Sequence, residues 1–469
     1  MKRLAGSRWS SVALLLALSL ACTLPLAPSP TVPSEPPITP SATFQPVCTP
    51  PLCREGEVFY CPDECPGGCG TICVTPTPTA EPEPWEIPVL SVVYSQEGSL
   101  WWTVGYNAPR PLTSGYQDSE PQISPDGRQV LFYRDVSPGS SGLERFELWV
   151  ISLEEGAVAR RLVAATDLPG VMGTTSDSPD SVLLDRLPRR IAWFPDGRRA
   201  AFTTFIQGGY GLDTRLDLWV VDVETGALTR LLPDGEGGSF AFSPDGTVLL
   251  VASPEAVTLL DADGRNRREL VRFPFVNTAS EYAYIPQPLW APDSSYGMVA
   301  ITSPDPWDDD AFCSLWRLPR SGGAVQIGAL PYACLFNTME DHLWSPDRVW
   351  LVHATDFGGD LLLANADGTA ANVYAEGADE FLGWSPDSRY FVFAQWDAER
   401  MMLGGPGVEL APFVNPEETG QIITLQWADA TNYGFLAADE TYEKTLWVGE
   451  LGGELRIIAA GVDGFAVHR

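Results

Sequence analysis

The sequence predicts an all-β fold built from one repeated four-stranded unit, and three observations predict it. First, a Pro-Asp or Ala-Asp turn recurs along the chain. Clear copies are Ser124-Pro125-Asp126-Gly127, Phe194-Pro195-Asp196-Gly197 and Ser243-Pro244-Asp245-Gly246. Weaker copies are Ala291-Pro292-Asp293-Ser294, Ser345-Pro346-Asp347-Arg348 and Ser385-Pro386-Asp387-Ser388, and the most decayed is Trp427-Ala428-Asp429-Ala430. Second, a Leu-Trp strand follows several of these turns. Third, the two chain ends carry complementary fragments of the same unit. Self-similarity at about 40–50 residues marks the blades of a propeller. The expected architecture is an eight-bladed β-propeller, with seven blades as the alternative.

Each unit opens with a short apolar strand, such as Ile191-Ala192-Trp193, Phe240-Ala241-Phe242, Leu289-Trp290, Leu343-Trp344 or Leu382-Gly383-Trp384. The turn comes next. Pro suits its second position, Asp bonds its own backbone, and Gly tolerates the exit geometry. The second strand follows, as in Val130-Leu131-Phe132, Ala200-Ala201-Phe202, Val248 to Val251 and Tyr390 to Phe393. The third carries Leu148-Trp149, Leu218-Trp219, Leu315-Trp316 and Leu446-Trp447. A large aromatic recurring at one position is expected to pack between neighbouring sheets. Turns such as Asp261-Ala262-Asp263-Gly264 lead to a fourth strand, for example Thr229 to Leu232 or Leu455 to Ile458.

The ends decide the blade count. Val89 to Tyr94, Ser99 to Val104 and Arg110 to Thr113 read as second, third and fourth strands whose first strand is missing. Phe465 to His468 reads as a first strand with nothing after it. Joining them makes one blade from both termini and removes exposed edges. The Ser-Pro-Asp-Gly turns with their downstream Leu-Trp strands resemble the TolB-type, WD-like propeller repeat over residues 88–469. The TolB protein has its own domain ahead of the propeller, whereas a cysteine module and linkers stand there in this chain. Its role in the Tol–Pal envelope system is therefore not transferred.

Lys2, Arg3 and Arg8 precede an apolar run from Val12 to Leu20, about half the length that spans a bilayer as a helix. This reads as a secretory leader over residues 1–21. Ser19-Leu20-Ala21-Cys22 resembles a bacterial lipobox, which implies lipidation of Cys22 and an anchor on the outer face of a membrane. Residues 22–47 and 74–88 are rich in Pro, Thr and Ser and read as extended, disordered spacers. Between them lie Cys48, Cys53, Cys61, Cys65, Cys69 and Cys73. Six cysteines in residues 48–73 of an exported chain are expected to form three disulfides, of unassigned pairing. The module resembles small cysteine-rich knobs of bacterial surface lipoproteins.

The formal charge is −32 for the whole chain. Removing the leader leaves 26 basic residues against 61 acidic ones, a charge of −35. Such a surface repels phosphate backbones, so nucleic acid is excluded as a partner. Contact with a membrane is expected through the lipid anchor only.

Propeller wiring puts the second-to-third and blade-to-blade connections on one face. The long segments fall there: 135–146, 164–189, 207–215, 272–287, 303–312, 329–341 and 439–444. Long loops on a rigid scaffold commonly carry function. Their candidate binding residues are Tyr210, Phe273, Tyr282, Tyr284, Trp307, Asp308, Asp309, Asp310, Tyr332 and Phe336, with Phe275, Asp177, Asp180 and Asp213 nearby in sequence. Cys313 and Cys334 occupy two same-face loop positions of one blade and are expected to form a fourth disulfide. Asp308-Asp309-Asp310 could contribute to a Ca²⁺ site, but no EF-hand spacing is present and a solvated acidic loop is the simpler expectation. No other cofactor is expected.

Only His342, His353 and His468 are available, too few for a multi-histidine metal centre. No Gly-x-Ser-x-Gly elbow appears, and no pair of carboxylates stands out for glycoside hydrolysis. The expected function is that of an extracytoplasmic, lipid-anchored binding or scaffold protein, not an enzyme, with a protein or cell-wall glycan ligand on the long-loop face. Alternatives are a carboxylate-based hydrolase and a purely structural surface protein.

Overall fold

The computed structural model describes residues 58–60, 72–74, 90–137, 145–175, 178–208, 211–280, 282–334, 344–354, 359–395 and 400–469. The chain divides into two units, Met1–Pro84 and Trp85–Arg469. In the first, Val58–Tyr60 pairs antiparallel with Ile72–Val74, which sets Phe59 opposite Cys73. Cys22, Cys48, Cys53, Cys61, Cys65 and Cys69 lie outside the described residues.

The second unit is an eight-bladed β-propeller. Blade 1 comprises Gln117–Ile123, Gln129–Asp135, Phe146–Ser152 and Arg160–Val163, paired in chain order. Blade 2 comprises Arg186–Trp193, Arg199–Gly208, Leu218–Asp222 and Leu228–Leu232. Blade 3 runs Ser239–Phe242, Val248–Ala252, Ala256–Asp261 and Arg268–Arg272, and blade 4 Leu289–Trp290, Tyr296–Thr302, Cys313–Pro319 and Val325–Leu330. Blade 5 has Trp350–Ala354, Leu361–Asn365 and Asn372–Ala375, with Trp344 bridging to Leu351 where the first strand belongs. Blade 6 comprises Ala378–Trp384, Phe391–Gln395, Arg400–Gly404 and Ala411–Val414, and blade 7 Gln421–Trp427, Asn432–Ala438, Lys444–Glu450 and Arg456–Ala460. The irregular turns at Ser385 and Asp429 thus still serve full four-stranded sheets, so the seven-bladed alternative falls.

Blade 8 closes the ring. Val462–His468 pairs with Ser91–Gln96, which continues to Ser99–Val104 and Arg110–Pro111. Six backbone positions are in register across this seam, from Ser91 opposite His468 to Gln96 opposite Val462. The last strand also packs beside the first strand of blade 1.

The core lies between blades. Leu131 and Tyr133 of blade 1 pack with Phe202, Trp219 and Val221 of blade 2. Phe132, Phe202, Phe391, Phe393 and Phe435, all on second strands, are fully buried. Each such side chain contributes about 1.5–3 kcal/mol of transfer free energy. The recurring tryptophans serve this packing. Trp149, Trp219 and Trp316 donate their indole N–H to Glu147, Asp217 and Ser314, two residues earlier in the chain, at 3.2, 2.6 and 2.9 Å. First-strand tryptophans reach across blades: Trp193 donates to the Gln122 carbonyl at 3.1 Å and Trp290 to that of Ala241 at 2.9 Å.

The turns behave as their chemistry requires. The Ser124, Ser243, Ser345 and Ser385 hydroxyls each donate to the Asp two residues on, at 2.5–2.7 Å. These bonds hold the Asp126 carboxyl below its usual range. The exit residue is left-handed in six of the seven recurring turns, Ala430 being the exception. Gly127, Gly197 and Gly246 have φ of 71°, 66° and 67°, and Ser294, Arg348 and Ser388 keep φ of 60°, 63° and 64°. Where glycine is lost, the replacement binds the preceding blade. Ser294 accepts from the Asp245 N–H at 3.0 Å, Ser388 from the Asp347 N–H at 2.8 Å, and Arg348 donates to the Trp290 carbonyl at 2.9 Å. These links offset the strain of a side chain at positive φ.

Candidate functional site

The antiparallel order of each blade puts its first-to-second and third-to-fourth turns on one face, and those are short throughout. The opposite face carries the long connections, but unevenly. They gather around blades 1, 2, 4 and 5. Between blades 7 and 8 the connection is Gly461 alone, and residues 439–443, expected to be long, form a compact turn.

Two of the long segments, expected to be loops, contain strands. Within 164–185, Val171–Thr175 and Ser178–Leu184 form a separate hairpin, and Gly211–Thr214 folds back on Arg199–Gly208. A buried ion network supports them. Arg186, 3 % exposed, donates to Asp217 at 2.7 Å, to both oxygens of Asp234 at 2.9 and 3.0 Å, to Thr204 at 3.1 Å and to the Pro169 carbonyl at 3.0 Å. Asp217 also accepts from the Thr204 N–H and hydroxyl and from Trp219. Burial raises the Asp234 carboxyl, but hydrogen bonds from Arg186 and Arg215 outweigh it and hold its pKa at about 2. In blade 1, Arg134 makes a two-pronged contact with Asp118, at 2.7 and 2.9 Å, with both side chains buried and the guanidinium 3.6 Å from the Tyr116 ring centre. These partners are far apart in sequence, and no spacing signal links them.

The expected binding residues divide sharply. The connection 273–288 and the loop 303–312 are joined, because the Asn277 N–H donates to the Pro304 carbonyl at 2.8 Å and the Trp307 indole to the Asn277 carbonyl at 3.0 Å. On this pair Tyr282 is 65 % exposed and Trp307 52 %, and Phe275 and Phe312 are exposed as well. Phe273 and Tyr284 are not available. Both are buried, and the Tyr284 hydroxyl donates to the Ala300 carbonyl at 3.1 Å and accepts from the Thr302 N–H at 3.3 Å. They pin the loop to blade 4 and do not face solvent. Tyr332 is half-buried, with its hydroxyl enclosed and without a partner among the described residues, and its ring centre 5.5 Å from that of His353. Tyr210 and Phe336 lie outside the described residues, as does Asp177. Phe312, not among the expected binding residues, sits at the last position of the 303–312 loop.

Cys313 and Cys334 form the expected disulfide, with Cα atoms 5.4 Å apart. It ties the start of the third strand of blade 4 to the connection leading to blade 5. Asp308, Asp309 and Asp310 are exposed, and among the described residues no group of three or more His, Cys, Asp or Glu gathers as a metal site. His353 is 4 % exposed with neither ring nitrogen bonded among the described residues, and burial pushes its pKa down to about 4. His468 caps the closure seam, its Nε2 3.1 Å from the Pro125 carbonyl. His342 lies outside the described residues.

Fold and seam together define the chain as a ring-closed β-propeller protein. No protein-family model matches it, and no curated protein does either. Solved structures do. The β-propeller domain of the Trilobed protease from Pyrococcus furiosus, described as having an open velcro topology, matches at 13 % identity over 75 % of this chain and 100 % of its own, with a TM-score of 0.41. The putative TolB from Agrobacterium tumefaciens matches at 18 % identity over 52 % and 78 %, with a TM-score of 0.29. The dipeptidyl peptidase 4 of Porphyromonas gingivalis matches at 10 % identity over 79 % and 58 %, with a TM-score of 0.48. The likeness is a distant one of propeller fold, shared with TolB-like and peptidase propellers, and extends no further.

Proposed function

We propose that the protein is an extracytoplasmic binding or scaffold module, held to a membrane through lipidated Cys22, whose long-loop face receives a protein or cell-wall glycan ligand. The observation that carries this reading is the pair of hydrogen-bonded loops bearing Phe275, Tyr282, Trp307 and Phe312. Exposing four large aromatics on loops fixed to a rigid sheet costs apolar hydration without helping the core, and rigid aromatic anchors are the residues that dominate binding energy. The lipobox-like Ser19 to Cys22 supports the anchoring.

The test is capture from detergent-solubilised envelope with the full chain and with a Tyr282→Ala/Trp307→Ala variant. Tyr284 is left intact, since its loss would disturb blade 4. A partner retained by the wild type and lost by the variant supports the reading. Equal capture by both would overturn the placement of the site. A Cys22→Ser variant should leave the membrane fraction, and membrane retention would refute the anchor.

A further inference from the structure

The two joined loops of blade 4 carry charge as well as aromatics, and the charge is all of one sign. From Phe273 to Trp316 the sequence holds no Lys, Arg or His, while residues 273–288 and 303–312 hold Glu281, Asp305, Asp308, Asp309 and Asp310. The cations at either end are engaged elsewhere. Arg272 pairs with Glu269, and the Arg317 guanidinium lies 3.9 Å from the Tyr296 ring centre. Asp305 serves the loop itself, accepting the Trp307 N–H at 3.2 Å. Asp308, Asp309 and Asp310 are exposed and make no ion pair among the described residues.

Aromatics and carboxylates share one scaffold. The Ser303 N–H donates to the Phe312 carbonyl at 2.8 Å, and the Phe312 N–H to the Ser303 hydroxyl at 3.2 Å. That closes the base of the 303–312 loop and leaves Trp307 to Asp310 at its tip. The Ala311 N–H bonds the Asp308 carbonyl at 3.0 Å, which fixes the turn bearing the three carboxylates. On the facing loop the Thr278 hydroxyl donates to the Tyr282 carbonyl at 2.7 Å, and Thr278 follows the Asn277 that receives the Trp307 indole. Tyr282, Trp307 and Asp308 are thus carried on backbone that is bonded together.

Such a surface selects by charge. Exposed rings offer their faces to a cation. Three unpaired carboxylates beside them repel one another and any anion, and their field draws a cation in. An arginine side chain answers both features, because its planar guanidinium stacks on a ring and pairs with a carboxylate. A neutral sugar gains nothing from the charge, and an acidic wall polymer is repelled. We propose, resting on the aromatic-face reading above, that this face binds a basic polypeptide segment through its arginine side chains. Tyr282 and Trp307 stack the guanidinium groups, and Asp308 to Asp310 steer the segment in and balance its charge.

Titration calorimetry of the full chain in detergent tests this with a peptide of Arg-Gly-Ser repeats, the same peptide with Gln for Arg, and a neutral oligosaccharide of N-acetylglucosamine. The Arg peptide should bind, and the Gln peptide should bind about tenfold more weakly or worse. Tyr282→Ala/Trp307→Ala should weaken the Arg peptide about tenfold, the loss expected for two cation–π contacts. Asp308→Asn/Asp309→Asn/Asp310→Asn should weaken it too and flatten its salt dependence between about 50 and 300 mM, since exposed charges act only within a Debye length. The Asn variant removes no packed group, so it keeps the test sound even where loss of Trp307 loosens the loops. No binding of the Arg peptide, equal binding of the Gln peptide, or full binding by either variant would each overturn the proposal. Oligosaccharide binding that the aromatic variant loses would overturn it as well while keeping the aromatic face as the site, so the two readings fail separately.

Discussion

His353 provides a stability switch that can be isolated by pH. It is buried between blades 4 and 5 with neither ring nitrogen bonded to a described residue, and burial lowers its pKa from 6.5 to about 4. Between those values the unfolded chain takes up a proton that the folded chain refuses. The stabilising effect is therefore complete above pH 6.5 and is lost as pH falls through 4. Carried to low pH the loss is about 3 kcal/mol, at about 1.4 kcal/mol per tenfold. From pH 7 to pH 5 it is about 2 kcal/mol. For the roughly 385 residues of Trp85–Arg469, unfolding entropy of about 0.8 kcal/mol per degree converts this to a drop of about 2 °C in Tm. The carboxyl groups of Asp126 and Asp234, both held below their usual range, do not share the window. Asp234 is held at about 2, and the stability it contributes is lost only below its ordinary range, near 3.8. The perturbation is His353→Leu, which removes the titrating ring and two orphaned nitrogens at similar volume. It should raise stability by about 1–2 kcal/mol at pH 7 and flatten the dependence between pH 7 and 5. Thermal unfolding followed by circular dichroism at both pH values reads the difference. An equal fall in Tm for wild type and variant would refute the reasoning.

Two further predictions concern what holds the long-loop face. The Cys313–Cys334 link closes 21 residues, so replacing both by Ser should cost about 3 kcal/mol by loop entropy and remove the effect of reductant on Tm, apart from any contribution of residues 48–73; an unchanged Tm would show that the loops are already held without it. Arg186→Met leaves Asp217 buried without its cation and should cost about 3–5 kcal/mol, whereas Arg186→Met with Asp217→Leu and Asp234→Asn should recover most of it in urea unfolding. No recovery would mean that the network acts through shape rather than charge.

The repeat was legible because its chemistry is local. Ser, Pro, Asp and Gly within four residues specify a turn whatever surrounds them, and Leu-Trp beside alternating apolar residues specifies a strand. Three of the copies that lost glycine still kept the left-handed exit, where Ser294, Arg348 and Ser388 bond to the preceding blade. The Cys313–Cys334 pair followed from placing both residues on one face. The candidate site was less legible. Tyr282 and Tyr284 are two residues apart with the same side chain, yet one is exposed and the other buried. Nothing local separates them, since the choice depends on Ala300 and Thr302 of the neighbouring strand.

By itself, then, the sequence determined the repeated blade, the closing seam and the side bearing the long loops, and it favoured eight blades over seven. All three follow from the order and spacing of short strands and turns. Only the tertiary structure decided which aromatics reach solvent, that 171–184 is a hairpin, and that Arg186 draws Asp217 and Asp234 together. Those outcomes depend on contacts between residues distant along the chain, and such contacts exist only once the ring has closed.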